Sequence, residues 1–291
     1  MSDGVTVLAP AKINLCLSVL SRRPDGYHDV EMLMQMVGIY DEVRVTPGGD
    51  GITVSCDAGG VPTGPANIAW KAADALLKRC GIRRQGVVIT IRKTIPVAAG
   101  LGGGSSDAAA VLAAMNILLG AGLDRSALVA IGAGIGMDVP FFFHGPLALA
   151  QGRGELVTGL PPLPPFWVLL VNPGFETSTA WAYQQLNLRL TKKADCNKIA
   201  GFSVREIALH LHNDLETVTA ATHPAIRTME EALLEQGALG ARMSGSGPTV
   251  FGIFETEETC RLAAGALAGR GWSLFPAEAL TTSPLEVYHT I

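Results

Sequence analysis

The sequence predicts an α+β protein in two domains, and three observations carry that prediction. Its 291 residues are about twice the ~150 of a usual domain. Strand-like alternation and helix-like runs occur in both halves rather than in separate blocks. Between them, GLPPLPPF from Gly159 to Phe166 places four prolines in eight residues, which neither a helix nor a central strand accommodates. The expected division is therefore 1–162 and 163–291.

Composition excludes several classes. Apolar residues make up 48% and charged residues 16%, against about 25% charged in an ordinary domain, so the chain is not intrinsically disordered. Its 34 glycines and 17 prolines follow no collagen-like period and belong in loops. A net charge of −4 offers no electrostatic case for nucleic acid or an anionic membrane, and the basic runs go no further than the pairs Arg83–Arg84 and Lys192–Lys193. The most lipid-like stretch, Ala108 to Leu123, is bounded by Asp107 and Asp124 and falls short of the ~20 apolar residues of a spanning helix. Asp3 stands where a secretory signal carries basic residues. Five scattered cysteines without CxxC spacing indicate neither a disulfide framework nor a zinc site, so the expected compartment is the reducing cytoplasm.

The elements follow in order. Ile13, Leu15, Leu17 and Val19 alternate with Lys12, Asn14, Cys16 and Ser18, a strand with one apolar face on which Lys12 and Asn14 point the same way. Asn67 caps a helix from Ile68 to Arg79, closed by Gly81, and Val87 to Ile91 forms a strand. A glycine-rich loop and a long helix come next. Beyond the prolines, Trp167 to Val171 and Thr249 to Phe254 are strands, while Pro224 to Glu235 and Glu257 to Leu267 are helices. His210 and His212, taken as two apart on a helix, face different directions and make no metal site.

The stretch PVAAGLGGGSSDAAA, Pro96 to Ala110, has the chemistry of an anion cradle. Gly100, Gly102, Gly103 and Gly104 let backbone N–H groups approach a ligand, Ser105 or Ser106 can cap the following helix, and the helix N-terminus adds partial positive charge. A phosphate fits that environment, although glycine count alone is equally met by a flexible, serine-capped loop. No lysine follows for a Walker loop, and the third position of a GxGxxG fingerprint is Ser105, which also removes a dehydrogenase. HRD, DFG, GxSxG and HExxH motifs are absent.

GLGGGSSDAA resembles the phosphate-binding motif of the galactokinase, homoserine kinase, mevalonate kinase and phosphomevalonate kinase (GHMP) superfamily. PAKINL (Pro10 to Leu15), DGYH (Asp25 to His28), GMDVPFFFHG and SGSGPTVF (Ser244 to Phe251) agree with it in order over about 240 residues. Within the superfamily, the triple glycine and double serine look most like the branch whose acceptor is a cytidine diphosphate-linked methylerythritol. Mevalonate or homoserine as acceptor is the alternative. The resemblance implies a two-domain fold, with an N-terminal ATP-binding domain like domain 2 of ribosomal protein S5 and a C-terminal ferredoxin-like substrate domain. It also implies MgATP as phosphoryl donor, with no protein ligand to Mg2+ assignable.

Roles follow residue by residue from that resemblance. Asp138, a carboxylate ahead of an apolar run, is the expected general base, and Lys12 the ammonium that orients it and neutralises developing charge. Asn67, Pro96, Gly100, Leu101, Gly102, Gly103, Gly104, Ser105 and Ser106 are the expected nucleotide contacts; Asn67 also caps its helix whether or not a ligand is present. Asn14, Tyr27, His28, Thr179, Tyr183, Gly245 and Ser246, with Asp138, are the expected acceptor contacts. Tyr27 and His28 follow the turn from Pro24 to Gly26 and supply stacking faces and polar edges suited to a nucleobase.

Overall fold

The structure, a computed structural model, describes residues 4–82, 85–188, 194–199 and 202–285. The two basic pairs, Arg83–Arg84 and Lys192–Lys193, lie outside the described residues. The chain begins with two long strands, β1 (Val5–Arg22) and β2 (His28–Pro47), then β3 (Ile52–Cys56), α1 (Ile68–Arg79), β4 (Val87–Arg92), α2 (Gly103–Leu118) and α3 (Arg125–Ala133). A 3-10 turn (Pro140–Phe143), β5 (Leu147–Gly152) and β6 (Leu156–Gly159) complete the first half. The second half runs β7 (Trp167–Asn172), α4 (Thr179–Gln185), a 3-10 turn (Cys196–Ile199), α5 (Val204–Leu209), β8 (His212–Asn213), α6 (Glu216–Thr222) and α7 (Ala225–Glu235). It ends with β9 (Gly240–Met243), β10 (Val250–Phe254), α8 (Glu257–Leu267) and β11 (Ser273–Glu278).

Among the described residues, one sheet runs β3-β4-β2-β1-β8, with β5 on the far stretch of β2 and β6 on β5. The second sheet runs β11-β7-β10-β9 with every pairing antiparallel, the 4-1-3-2 order of a ferredoxin-like βαββαβ unit. The two-domain α+β fold is therefore present. The halves are not independent, because β8 returns from the second half to pair with β1, and Val37 of β2 bridges Ala279.

One correction concerns β1. Its central stretch from Ala9 to Val19 has no solvent face: Lys12 and Asn14 are buried there, with helix α2 on one side of the strand and the second sheet on the other. Register shifts at Pro10/Ala11 and Asn14/Cys16 act as bulges, each reversing which way the following residues point. Val7, Ala9, Leu17 and Val19 pack with the helices, whereas Ala11, Ile13 and Leu15, of the same parity, pack with Phe166, Leu170 and Phe251. The reversed segment is what presents Lys12 and Asn14 on the helix side of the sheet.

α2 explains itself by burial. Ser106 to Met115 are continuously buried, so the helix is apolar around its circumference and forms the centre of the first half. It begins at Gly103 with Gly102 as N-cap in the left-handed region and without a side-chain cap. The expected cap by Ser105 or Ser106 is therefore corrected: both serines lie inside the first turn, where the helical twist turns the fully buried Ser106 into the core. Asn67, in contrast, caps α1 through Oδ1, which accepts from Ala69 N at 2.7 Å.

Two further expectations are corrected. Cys16 of β1 and Cys196, 180 residues apart, form a disulfide with Cα atoms 5.5 Å apart, because the 196–199 turn packs across β1; spacing in sequence carries no sign of that packing. His210 and His212 do not share a helix, since His210 caps the C-terminus of α5 and His212 lies in β8 beside Asp214. No helix among the described residues is long and apolar enough to cross a membrane.

Candidate active site

One cavity of about 1330 Å³ lies between the glycine loop, β1, the 23–28 turn and the start of the second half. Of the sequence-predicted residues, Lys12, Asn14, Tyr27, His28, Asn67, Pro96, Asp138, Thr179, Tyr183, Gly245 and Ser246 line it. So do Gly100, Leu101, Gly102, Gly103, Gly104 and Ser105. Ser106 does not, for the reason given above.

The glycine loop is held by its own main chain. Gly100 and Gly102 have φ of +78° and +70°, and Ala98 adopts +50°, a conformation that costs a non-glycine residue energy. Lys12 N donates to Leu101 O at 2.9 Å, and Ser244 Oγ donates to Gly100 O at 2.9 Å. Bare backbone is required here: a Cβ at Gly100 would sit 2.2 Å from Ser244 O, and one at Gly102 2.9 Å from Lys12 Cγ. The unpaired N–H groups of the first turn of α2 thus open into the cavity beside a loop without side chains, which suits a polyphosphate.

Opposite the loop, Lys12 Nζ stands 3.8 Å from Asp138 Oδ2. Burial lowers the Lys12 pKa and the Asp138 carboxylate opposes that shift. Lys12 Nζ donates to Asn14 Oδ1, which leaves Asn14 Nδ2 buried without a protein partner on the cavity wall. That orphan donor suits a ligand oxygen. Asp138 keeps 30% of its side chain exposed because the following turn anchors Phe141, Phe142 and Phe143 in the core and leaves the carboxylate at the rim.

At the other end, the His28 and Tyr183 rings stack with centroids 5.2 Å apart at 24°. Burial, followed by the Asp138 charge, raises the pKa of the Tyr183 hydroxyl. Tyr27 is half exposed. Thr179 Oγ1 and Ser246 Oγ share a hydrogen bond of 2.9 Å, tying the first residue of α4 to the 245–247 turn. Asn67 Oδ1 accepts from Ala69 N and Nδ2 donates to Pro62 O, which fixes the side chain on the cavity wall.

Sequence reasoning missed a buried charge cluster beneath the loop. Lys93 Nζ pairs with Asp41 and, at 2.8 Å, with Asp107 Oδ2; all three side chains are less than a tenth exposed. Asp41 Oδ1 also accepts from Thr94 N and Ile95 N, fixing the chain that enters the glycine loop. Burial pushes Asp107 up to about 7, Lys93 pulling it down and Asp41 pushing it further up. The one signal available was a lysine between a strand and the loop, with Asp107 inside the motif.

Known proteins agree with this geometry. The model of the GHMP kinases N terminal domain matches residues 67–146, and that of the GHMP kinases C terminal matches 202–271. A 4-diphosphocytidyl-2-C-methyl-D-erythritol kinase of Pelobacter propionicus is 50% identical over 95% of this chain and 99% of its own. One of Syntrophotalea carbinolica is 53% identical over 93% and 97%. The chain belongs to the 4-diphosphocytidyl-2-C-methyl-D-erythritol kinase family of the GHMP kinases. A crystal structure titled 4-(cytidine 5'-diphospho)-2C-methyl-D-erythritol kinase superposes with a TM-score of 0.81 at 34% identity, covering 94% of this chain and 98% of that one. A homoserine kinase of Cytophaga hutchinsonii reaches 0.76 at 21% identity, covering 97% and 96%, and shares the fold. Membership of this kinase family favours the cytidylylated acceptor over mevalonate or homoserine.

Proposed function

We propose that the protein transfers the γ-phosphoryl group of MgATP to the 2-hydroxyl of 4-diphosphocytidyl-2-C-methyl-D-erythritol, a step in isoprenoid precursor synthesis by the non-mevalonate route. One observation carries the reading: a lysine–aspartate pair faces the uncapped N-terminus of α2 across a single cavity. Use of ATP supports a cytoplasmic placement. A division at 162/163 is supported by the second sheet, every strand of which follows the proline-rich link.

The glycine loop and the first turn of α2 hold the phosphates. Asp138 accepts the proton of the acceptor hydroxyl as its oxygen bonds to the γ-phosphorus, the bond to the β-bridging oxygen breaks, and ADP leaves. Lys12 orients Asp138 and counters charge on the phosphoryl oxygens. Asn14, with Nδ2 unspent, positions the hydroxyl. Ser105, on the cavity wall at the start of α2, would share in holding the Mg2+ bound with the nucleotide, which would supply charge neutralisation on the phosphates. His28, Tyr27 and Tyr183 receive the cytosine.

Incubation with γ-labelled ATP and, separately, the cytidylylated methylerythritol, mevalonate and homoserine tests the assignment. Label is expected in the first alone, and label in either of the others overturns it.

A further inference from the structure

The acceptor reading leaves one part of the ligand unaccounted for. A cytidine diphosphate-linked polyol carries two negative charges between its base and the hydroxyl that reacts. At the reacting end stands the Asp138 carboxylate, which repels them. A cation on the cavity wall beyond the motif lysine Lys12 would offset that repulsion.

Arg153 is a cation on the cavity wall at its aromatic end. It sits at the tip of the β5–β6 hairpin, between Gly152 and Gly154, whose φ values of +69° and +113° set a turn that side chains rarely adopt. Its Cζ lies 5.3 Å from the centre of the Tyr27 ring, at the base-binding end. The guanidinium lines the same cavity at its aromatic end, where its charge also acts on Asp25 of the 23–28 turn.

Its bonding leaves the recognition edge open. Nε donates to Glu155 Oε1 at 3.3 Å, and the Arg153 backbone N donates to Glu155 Oε2 at 2.7 Å, so Glu155 fixes the hairpin and the root of the side chain. Among the described residues, no acceptor is bonded to the Nη atoms. The cation–π contact with Tyr27 and the Nε bond to Glu155 hold the side chain in place, which lowers the entropy lost when it takes a ligand. A planar, always-charged fork with free N–H groups is the side chain suited to phosphate oxygens.

We propose that Arg153 binds the diphosphate of the acceptor and is a determinant of its selection. The inference rests on the cytidylylated-acceptor reading, and its test separates the two. Binding of cytidine and of CDP to the full chain would be measured by calorimetry for the wild type, Arg153→Ala and Glu155→Ala. The wild type is expected to bind CDP more tightly than cytidine. In Arg153→Ala, CDP binding should weaken ~10- to 100-fold, the range for a lost charge-assisted contact, with cytidine binding unchanged. In turnover, the same variant should raise KM for the acceptor by a similar factor while KM for ATP stays put. Glu155→Ala should weaken CDP binding less than Arg153→Ala does. If Arg153→Ala weakens cytidine and CDP equally, or neither, the arginine merely braces the hairpin and the inference fails while the acceptor reading stands. A wild type that binds neither compound overturns both.

Discussion

The two ends of the cavity are built on opposite plans. The nucleotide end is main chain: glycines in the left-handed region, an uncapped helix terminus, and a charge cluster hidden underneath. The acceptor end is side chain: His28 and Tyr27 from the start of β2, Tyr183 from α4 and Arg153 from the β5–β6 hairpin, meeting from three separate parts of the chain. Main-chain recognition suits a group common to all the reactions of a superfamily, because phosphate offers only charge and acceptor oxygens. Side-chain recognition can change at single positions without disturbing the fold, so acceptor choice belongs at that end. Asp138 and Lys12 stand where the two plans meet.

Substitution at that meeting point should have the largest effect. Asp138→Asn removes the proposed proton acceptor and is expected to lower kcat ~10²- to 10⁴-fold, with ATP still binding, as read by single-turnover kinetics and nucleotide titration. Unchanged turnover would take Asp138 out of the reaction and leave the cavity without a base. Next is Gly102→Ala. Its Cβ would meet Lys12 Cγ at 2.9 Å in a backbone conformation that costs an L-residue ~1–2 kcal/mol, so the lysine must shift. A displacement of that kind is expected to cost ~10²-fold in kcat. Both ATP affinity and kcat should fall, because this glycine serves the loop and the lysine together; a fall in ATP affinity alone would detach Lys12 from the loop.

The same contrast decides what the amino-acid pattern reveals. α1 and α8 begin where expected because Asn67 and Thr256 cap them locally, and the glycine loop is legible because only glycine tolerates its backbone. The order of strands in the second sheet was carried by resemblance, since no local signal pairs β7 with β11 across 100 residues of chain. The Lys93 cluster joins residues 52 apart, the disulfide residues 180 apart, and the bulges that turn Lys12 inwards change no residue type. Ser106 misled because two adjacent serines look alike in sequence, while about 100° of helical twist sends one to the cavity and the other to the core. Long-range packing, not local propensity, settles each of these.

At the acceptor end, Tyr183→Ala removes one face of the aromatic slot, and loss of a base-stacking partner is worth ~1–3 kcal/mol. KM for the cytidylylated acceptor should rise ~10-fold or more, with KM for ATP unaffected. Equal weakening of both substrates would mean that the two ends are coupled through α4 rather than independent, and the division of labour drawn above would need revision.

The smallest effect tests the cluster beneath the loop. Asp107 titrates near 7 in the folded chain against an ordinary 3.8, chiefly through burial. An acid with a raised folded pKa holds its proton more tightly folded than unfolded. Its contribution is full below about pH 4 and is lost as pH rises towards 7, so over that window the folded state binds more protons and stability declines with pH. Asp107→Asn cannot titrate. Urea melts of both proteins at intervals between pH 4.5 and 8 should therefore show wild-type stability falling relative to the variant up to about pH 7, then running parallel above it. Curves parallel throughout would mean that Lys93 keeps Asp107 ionised across the range. In that case the ammonium is shared between two full carboxylates, and the floor of the nucleotide end carries a net negative charge that the helix terminus and Lys12 must outweigh to hold a triphosphate.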